Sequence, residues 1–531
     1  MRTSSVNATK DQEMINYSPS LARRHTLSDI LRRTAKRFPE KPAVICGETS
    51  WTYRQFDEVC SRLAAGLAAC GVRVSDRIAI ASRNSHAFAA VRFAVARVGA
   101  VLVPINCMLT VPEIRYILEH SGASLLCVDS GMAEIGASAC AGTAVKSLLW
   151  LPGEERSSPI DGFLNFDTLA KSSATLHDGG IDSDAVAQII YTSGTEARPK
   201  GTLLTHAAVL WEYVTCIADV EILESDCILH ALPLFHCAQL DIYLGPGVYV
   251  GATNVITGKP TADNILMLLA RHGITSFFAP PTVWISLLRS SKFDTTDLAA
   301  LRKGYYGASI MPIAVLKEMH ARLPGVRFWN LYGQTEIAPV ATVLKPEDQL
   351  RKAGSAGKAA LNVETRVVDE DMCDVPEGTV GEVIHRSPQL TSGYFNDDEK
   401  TREAFRGGWF HSGDLGVIDA DGYLTIVDRK KDMIKTGGEN VASREVEEAL
   451  YQIAEISEVA VIGTPDSRWI EAVTAIIVRK AGSELTEDQV IEHVRGRLAS
   501  FKTPKKVHFV DSLPKTPSGK ILKRELRLRY G

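Results

Sequence analysis

From Thr26 to Val128 the chain alternates helical and extended apolar patterns, and this alternation limits the fold more than any other feature. Leu27, Ile30, Leu31 and Phe38 recur at helical spacing behind a Thr26-x-x-Asp29 start. Thr52 is placed to cap a second helix through Phe56, Val59, Leu63 and Leu67, which Gly71 stops. Residues 78–81 then read as a buried strand, 85–97 as a helix closed by Gly99, and 101–103 as another buried strand. Thr110-Val111-Pro112-Glu113 combines a capping box with a proline in the first turn, ahead of a strand at 124–128. Strands separated by helices pair in parallel through right-handed crossovers, which predicts an α/β sheet.

The pattern changes after about Asn362. Residues 364–368 and 381–385 read as short strands, and 417–424 as a hairpin turning at Ala420-Asp421. Helices at 444–451 and 487–498 with strands at 459–462 and 473–478 then suggest a separate small α+β unit. The expected division is a flexible tail at 1–22, a large domain at 23–428 made of doubly wound α/β subdomains plus a β-rich subdomain, and a small mobile α+β domain at 429–531.

A chain of 531 residues can bury such cores, and a formal charge of -4 argues against nucleic acid as a partner of the whole protein. The charge is uneven. Residues 502–531 carry 9 basic and 2 acidic side chains, a surface suited to a polyphosphate. The most apolar stretch, 88–105, is broken by Arg92 and Arg97, so no membrane span is expected. Ten cysteines without C-x-x-C spacing, and an N-terminus without an apolar leader, predict a reducing, cytoplasmic setting.

Four clusters carry chemistry. Tyr191-Thr192-Ser193-Gly194-Thr195-Glu196-Ala197-Arg198-Pro199-Lys200-Gly201 follows a β-rich run and precedes a helical one at 207–213. A strand–loop–helix of this kind offers hydroxyls, backbone N–H groups and a cation to phosphate. Pro199 stands where a P-loop needs its second glycine, which removes the ordinary kinase or GTPase reading. Tyr332-Gly333-Gln334-Thr335-Glu336 places an aromatic, a hydroxyl and a carboxylate at a glycine turn, a set suited to base stacking, phosphate and magnesium. In the third cluster, turning the hairpin at Ala420-Asp421 sets Asp414 opposite about Val427, with Arg429 a couple of positions away. That pair can hold ribose hydroxyls, or equally form a cross-strand salt bridge. Pro517-Ser518-Gly519-Lys520 is a tight loop that projects one lysine from the basic end.

In this order, Thr192 to Gly201, Tyr332 to Glu336, Ser412-Gly413-Asp414, Arg429 and Pro517 to Lys520 resemble the adenylate-forming superfamily of acyl-CoA synthetases, peptide-synthetase adenylation domains and firefly-type luciferases. The resemblance runs from about Thr26 to the C-terminus. It implies a two-step reaction in which a carboxylate attacks the α-phosphate of ATP, giving acyl-AMP and pyrophosphate, and a thiol then displaces AMP. Residue by residue, it implies that Thr192, Ser193, Gly194, Thr195 and Lys200 hold the β- and γ-phosphates. Gly307, Ala308, Ser309 and Tyr332 would flank adenine, with Gly333 and Gln334 beside them and Thr335 at the α-phosphate. Glu336 and Thr192 would contact magnesium, and Asp414 and Arg429 the ribose. Lys520 would bridge carboxylate and α-phosphate. His236, with Gly307, would border the acyl pocket. Lys431 would be the hinge whose rotation exchanges Lys520 for Gly437, Gly438 and Glu439, the latter leaving room for the thiol of coenzyme A.

Two departures stand out. Glu196-Ala197 replaces the usual hydroxyl residue and glycine, and Ala308-Ser309 replaces the commoner glycine–alanine pair. The expected enzyme is a carboxylic acid–CoA ligase using ATP, magnesium and coenzyme A, acting on a fatty or aryl acid, because 232–255 and 274–288 are mostly apolar. An adenylating enzyme that loads a separate carrier protein and a catalytically silent acyl- or nucleotide-binding protein are the alternatives. A homodimer and peripheral membrane contact are compatible with all three.

Overall fold

The computed structural model describes residues 22–155, 157–176, 180–192, 199–308, 311–429, 432–436, 439–516, 519 and 521–531. The N-terminal helices form where their caps predict. The Asp29 carboxylate accepts from the Thr26 N–H at 3.0 Å at the head of Leu27–Arg37. Thr52 accepts from the Gln55 N–H to open Tyr53–Ala69, and Ser85 caps His86–Val98, which ends at left-handed Gly99.

Among the described residues four sheets form. One has nine strands, with a parallel centre of Arg327–Gly333, Lys303–Gly307, Ser276–Phe278, Cys227–His230, Thr253–Ile256 and Pro42–Cys46. The second has eight strands, parallel from Val186–Thr192 across Val101–Pro104, Arg77–Ala81 and Leu125–Val128 to Leu164–Asn165. Helix His86–Val98 is buried on nearly every face because it packs in the core shared by both sheets, against Val44 and Ile256 of one and Ile78 and Leu102 of the other. Further apolar layers cover the outer faces, around Trp284 and Phe328 on one sheet and Ile114 and Leu118 on the other. This is the doubly wound arrangement that the sequence predicts, with the antiparallel sheet Glu364–Val368, Gly381–Arg386, Phe410–Ile418 and Leu424–Arg429 as its β-rich addition.

The smaller C-terminal domain has its own core around Val446, Val461, Ala475 and Val490. Strands Ile456–Asp466 and Ile470–Arg479 pair antiparallel, Lys506–Phe509 adds in parallel, and helices Ser443–Leu450, Glu487–Arg495 and Lys523–Tyr530 pack on the sheet. Arg444 bridges to the large domain by donating to the Gly354 carbonyl at 2.6 Å. No helix among the described residues is long and apolar enough to cross a membrane. All ten cysteines are free thiols.

Two local expectations are corrected. The phosphate-loop candidate is not strand–loop–helix: Lys200–Thr205 is a second strand, antiparallel to Val186–Thr192, and the helix His206–Asp219 begins only after it. Thr202 and Leu204 are buried in the sheet, so these residues gain more from ladder bonds and apolar cover than from another helical turn. The hairpin register also differs. Ile418 faces Leu424, and a bulge at Leu415/Gly416 then inserts one residue, so Asp414 lies directly opposite Arg429 rather than Val427.

Candidate active site

Side-chain contacts join the two large sheets and the antiparallel sheet, and the C-terminal loop touches the helix that follows Ser276–Phe278. Thr192 ends its strand and Lys200 begins the next as its direct cross-strand partner, so the hairpin holds a hydroxyl and a cation side by side. Lys200 Nζ lies 5.4 Å from the centre of the Tyr394 ring, on Gly393–Tyr394, the edge strand that pairs with Lys200–Thr205. The Tyr394 hydroxyl donates to Glu336 Oε1 at 3.0 Å. Glu336 sits in the short turn Thr335–Ile337 and is buried; burial pushes its carboxyl above the usual carboxylate range, against the Tyr394 hydrogen bond and the charges of Arg429 and Lys200. An acidic oxygen held in this way gains from a nearby cation, and its chemistry fits magnesium.

Further along the same turn, Thr335 Oγ1 is 3.4 Å from the Cys237 thiol, and Gln334 Nε2 donates to the Ser412 carbonyl at 3.4 Å. The Tyr332 hydroxyl donates to Asp414 Oδ2 at 2.7 Å, while Arg429 Nε contacts Asp414 Oδ1 at 3.2 Å. Asp414 is thus held on both oxygens, with Arg429 still partly open to solvent. Gly333 has no room for a side chain, since a Cβ there would lie 1.9 Å from the Pro339 carbonyl. Gly307 ends Lys303–Gly307 against Leu331, and the next residue, Ala308, takes a left-handed φ of 62°.

His236, Ala308, Leu232, Pro233, Ala238, Gln239 and Phe278 line one small pocket. His236 Nδ1 accepts from the Ala238 N–H at 3.1 Å and so caps the short helix Cys237–Gln239. That helix runs into a wide turn, Leu240–Leu244, fixed by the buried Asp241, which pairs with Arg92 at 3.0 Å and accepts from Gln188 at 2.7 Å. Gln188 belongs to Val186–Thr192, so the pocket helix and the Thr192/Lys200 hairpin share one buried anchor.

The C-terminal loop reaches the same region. Gly519 has φ 82°, its carbonyl accepts from Thr282 Oγ1 at 3.4 Å, and a Cβ would lie 2.5 Å from that hydroxyl. Thr282 opens helix Pro281–Arg289, which directly follows the Phe278 strand. Lys515 and Ile521 form an isolated antiparallel bridge. Ser193, Gly194, Thr195, Ser309, Lys431, Gly437, Gly438 and Lys520 lie outside the described residues, as do Glu196 and Ala197. Glu439 is exposed at the start of strand Glu439–Val441 of the small domain and is not among the pocket residues. Sequence reasoning missed Tyr394, 58 positions from its partner Glu336, and Thr282, 237 positions from Gly519. No spacing rule connects such pairs.

Fold and site together define a two-domain enzyme with a polar cleft beside an apolar pocket. The family model of the AMP-binding enzyme matches residues 31–395, and that of the AMP-binding enzyme C-terminal domain matches 445–520. The chain belongs to the AMP-binding enzymes. It is 36% identical over 499 residues to a feruloyl-CoA synthase of an Amycolatopsis species, covering 94% of this chain and 98% of that one. It is 34% identical over 507 residues to a long-chain-fatty-acid–CoA ligase of Mycobacterium tuberculosis, covering 94% and 98%. The anthranilate CoA ligase AuaEII, solved with anthranoyl-AMP, superposes with a TM-score of 0.89 at 28% identity, covering 95% of this chain and 97% of that one.

Proposed function

We propose that the protein is an ATP-dependent carboxylic acid–CoA ligase that forms acyl-AMP and pyrophosphate, then acyl-CoA and AMP. The observation that carries this is the contact of Lys200, partnered across its hairpin by Thr192, with Tyr394, which holds Glu336, next to the Tyr332–Asp414–Arg429 set on the same segment 332–336. In this reading Lys200, with Thr192 and the loop 193–195, holds the terminal phosphates. Tyr332 and the 307–309 segment flank adenine, and Asp414, already oriented by Tyr332, accepts from the ribose. Glu336 and Thr192 would hold a magnesium ion, which would supply positive charge to the triphosphate. Lys520 is read as the residue whose ammonium would stabilise charge between carboxylate and α-phosphate, and Gly519, its neighbour in sequence, accepts from Thr282 Oγ1.

For the second step, rotation about Lys431, at a boundary near 428/429, would bring Glu439 and its preceding glycines to the pocket, with coenzyme A as the thiol. The acid is read as an aryl acid, because behind Phe278 the core is filled by Tyr243 and Tyr305, with ring centres 4.9 and 5.2 Å apart in succession. That filled wall suits a flat, short acyl group better than a long chain. Cysteines without disulfide spacing support a cytoplasmic setting. A homodimer and peripheral membrane contact are carried as proposals, read by sedimentation and vesicle flotation.

The test is a panel of carboxylic acids incubated with ATP, magnesium and coenzyme A, scored for AMP, pyrophosphate and thioester. Stoichiometric AMP and thioester with at least one acid are expected. ADP as the nucleotide product, or no turnover with any acid, overturns the reading.

A further inference from the structure

One wall of the acyl pocket carries a polar side chain whose orientation follows from a buried relay. Asn254 Nδ2 donates to the carbonyls of Ala43 at 3.0 Å and Ala252 at 3.1 Å, which fixes that amide and leaves Oδ1 as the acceptor facing His230 Nε2 at 2.9 Å. His230 is fully buried, and burial lowers its pKa to about 4, so the ring is neutral. Its one proton must therefore sit on Nε2, and Nδ1 has only a lone pair to offer. The group 2.6 Å from Nδ1 is Gln239 Nε2, which must be the donor. The Gln239 amide is thereby set with its nitrogen toward His230.

The consequence lies at the other end of the amide. Gln239 Oε1 is buried and has no hydrogen-bond partner among the described residues, and Gln239, 1% exposed, lines the pocket beside Phe278 and His236. A carbonyl oxygen withdrawn from water and left without a donor is costly, so a group that donates to it gains selectively over one that cannot. Of the other pocket residues, Leu232, Pro233, Ala238, Phe278 and Ala308 supply apolar contact, and His236 Nδ1 already accepts from the Ala238 N–H.

We infer that Gln239 is a specificity-determining residue whose Oε1 accepts a hydrogen bond from the acyl group, so that the preferred substrate is an aryl acid bearing a ring hydroxyl or N–H donor. This inference rests on the acid–CoA ligase reading for its substrate class and deepens it. Nothing else in the relay is free to turn: rotating the Gln239 amide would set two acceptors, Oε1 and His230 Nδ1, against each other, and a flip of the histidine proton would do the same between Nε2 and Asn254 Oδ1.

The experiment uses the full-length enzyme and matched pairs of benzoic and arylpropenoic acids that carry, at each ring position, either a hydroxyl or a methoxy group. The methoxy partner keeps the oxygen and loses the donor. Affinity of each acid is measured by calorimetry, and kcat/KM with ATP and coenzyme A in parallel. One hydroxy acid is expected to exceed its methoxy partner by about 10- to 100-fold in both readouts, and Gln239→Met, close in length but without an acceptor, is expected to reduce that ratio to near one. Equal ratios for every pair in the wild-type enzyme overturn the inference, even where turnover is brisk and even where the variant fails to fold. A preference that survives in Gln239→Met also overturns it. A hydroxyl preference in binding without turnover supports the role of Gln239 and overturns the ligase reading instead.

Discussion

Replacing Tyr394 by phenylalanine isolates one hydroxyl. The ring that lies beside Lys200 remains, and only the 3.0 Å hydrogen bond to Glu336 is lost. That bond favours the ionised carboxylate, in opposition to the burial that already holds the Glu336 pKa high. A hydrogen bond to a charged group contributes about 1.5–3 kcal/mol, and one pKa step corresponds to about 1.4 kcal/mol. Tyr394→Phe should therefore raise the pKa of Glu336 further. The sign follows directly. In the proposed role Glu336 is ionised to serve the triphosphate and its metal, so the acid limb of acyl-AMP formation should move to higher pH. Below the new limb the variant should lose about 10- to 100-fold in rate, with a raised magnesium requirement, and both defects should shrink as the pH rises. The assay is acid-dependent pyrophosphate exchange into ATP between pH 5 and 9 at several magnesium concentrations, with thermal unfolding as a control for folding. An unchanged acid limb and magnesium dependence would refute the link between Tyr394 and Glu336. A uniform loss at every pH would show that the hydroxyl acts on something other than the ionisation of Glu336.

Other consequences follow from single positions. Lys520→Ala should lose at least about 100-fold in acyl-AMP formation, and far less in thiolation of supplied acyl-AMP; equal losses in both half-reactions would remove the assigned role. Gly519→Ala places a Cβ 2.5 Å from Thr282 Oγ1 at a backbone φ of 82°, so the loop must lift away; about 10-fold slower adenylation with thiolation nearly intact is expected from single-turnover measurements. Ala308→Gly relieves a left-handed alanine at φ 62°. Against the greater chain entropy of glycine it should leave the protein more stable by about 0.5–1 kcal/mol, read by denaturant unfolding.

Much of the architecture was legible because helix caps and strand lengths are local. Thr26, Thr52, Ser85 and Gly99 mark ends that the chain uses as written. The errors arose where a neighbouring strand decides. Residues 201–205 are short enough for either state until Val186–Thr192 offers a ladder, and the bulge at Leu415/Gly416 leaves no mark in an alternating apolar pattern. In the site, each cluster reads as a run of residues, so Thr335, Glu336, Asp414 and Arg429 could be named from sequence. Tyr394, Thr282 and Gln239 could not. Their significance lies in partners far along the chain and, for Gln239, in the protonation of His230, which only burial fixes. Ala308 is intermediate: the sequence flags it as a departure, and the left-handed φ explains why glycine is commoner there.

The central claim is that the carboxylate is activated as an acyl-adenylate before any thiol takes part. Isotope exchange between pyrophosphate and ATP, with magnesium and an accepted acid but without coenzyme A, tests it most directly. Exchange that depends on the acid and proceeds in the absence of coenzyme A is expected. Thioester formation from the same acid with no exchange until coenzyme A is added would contradict it.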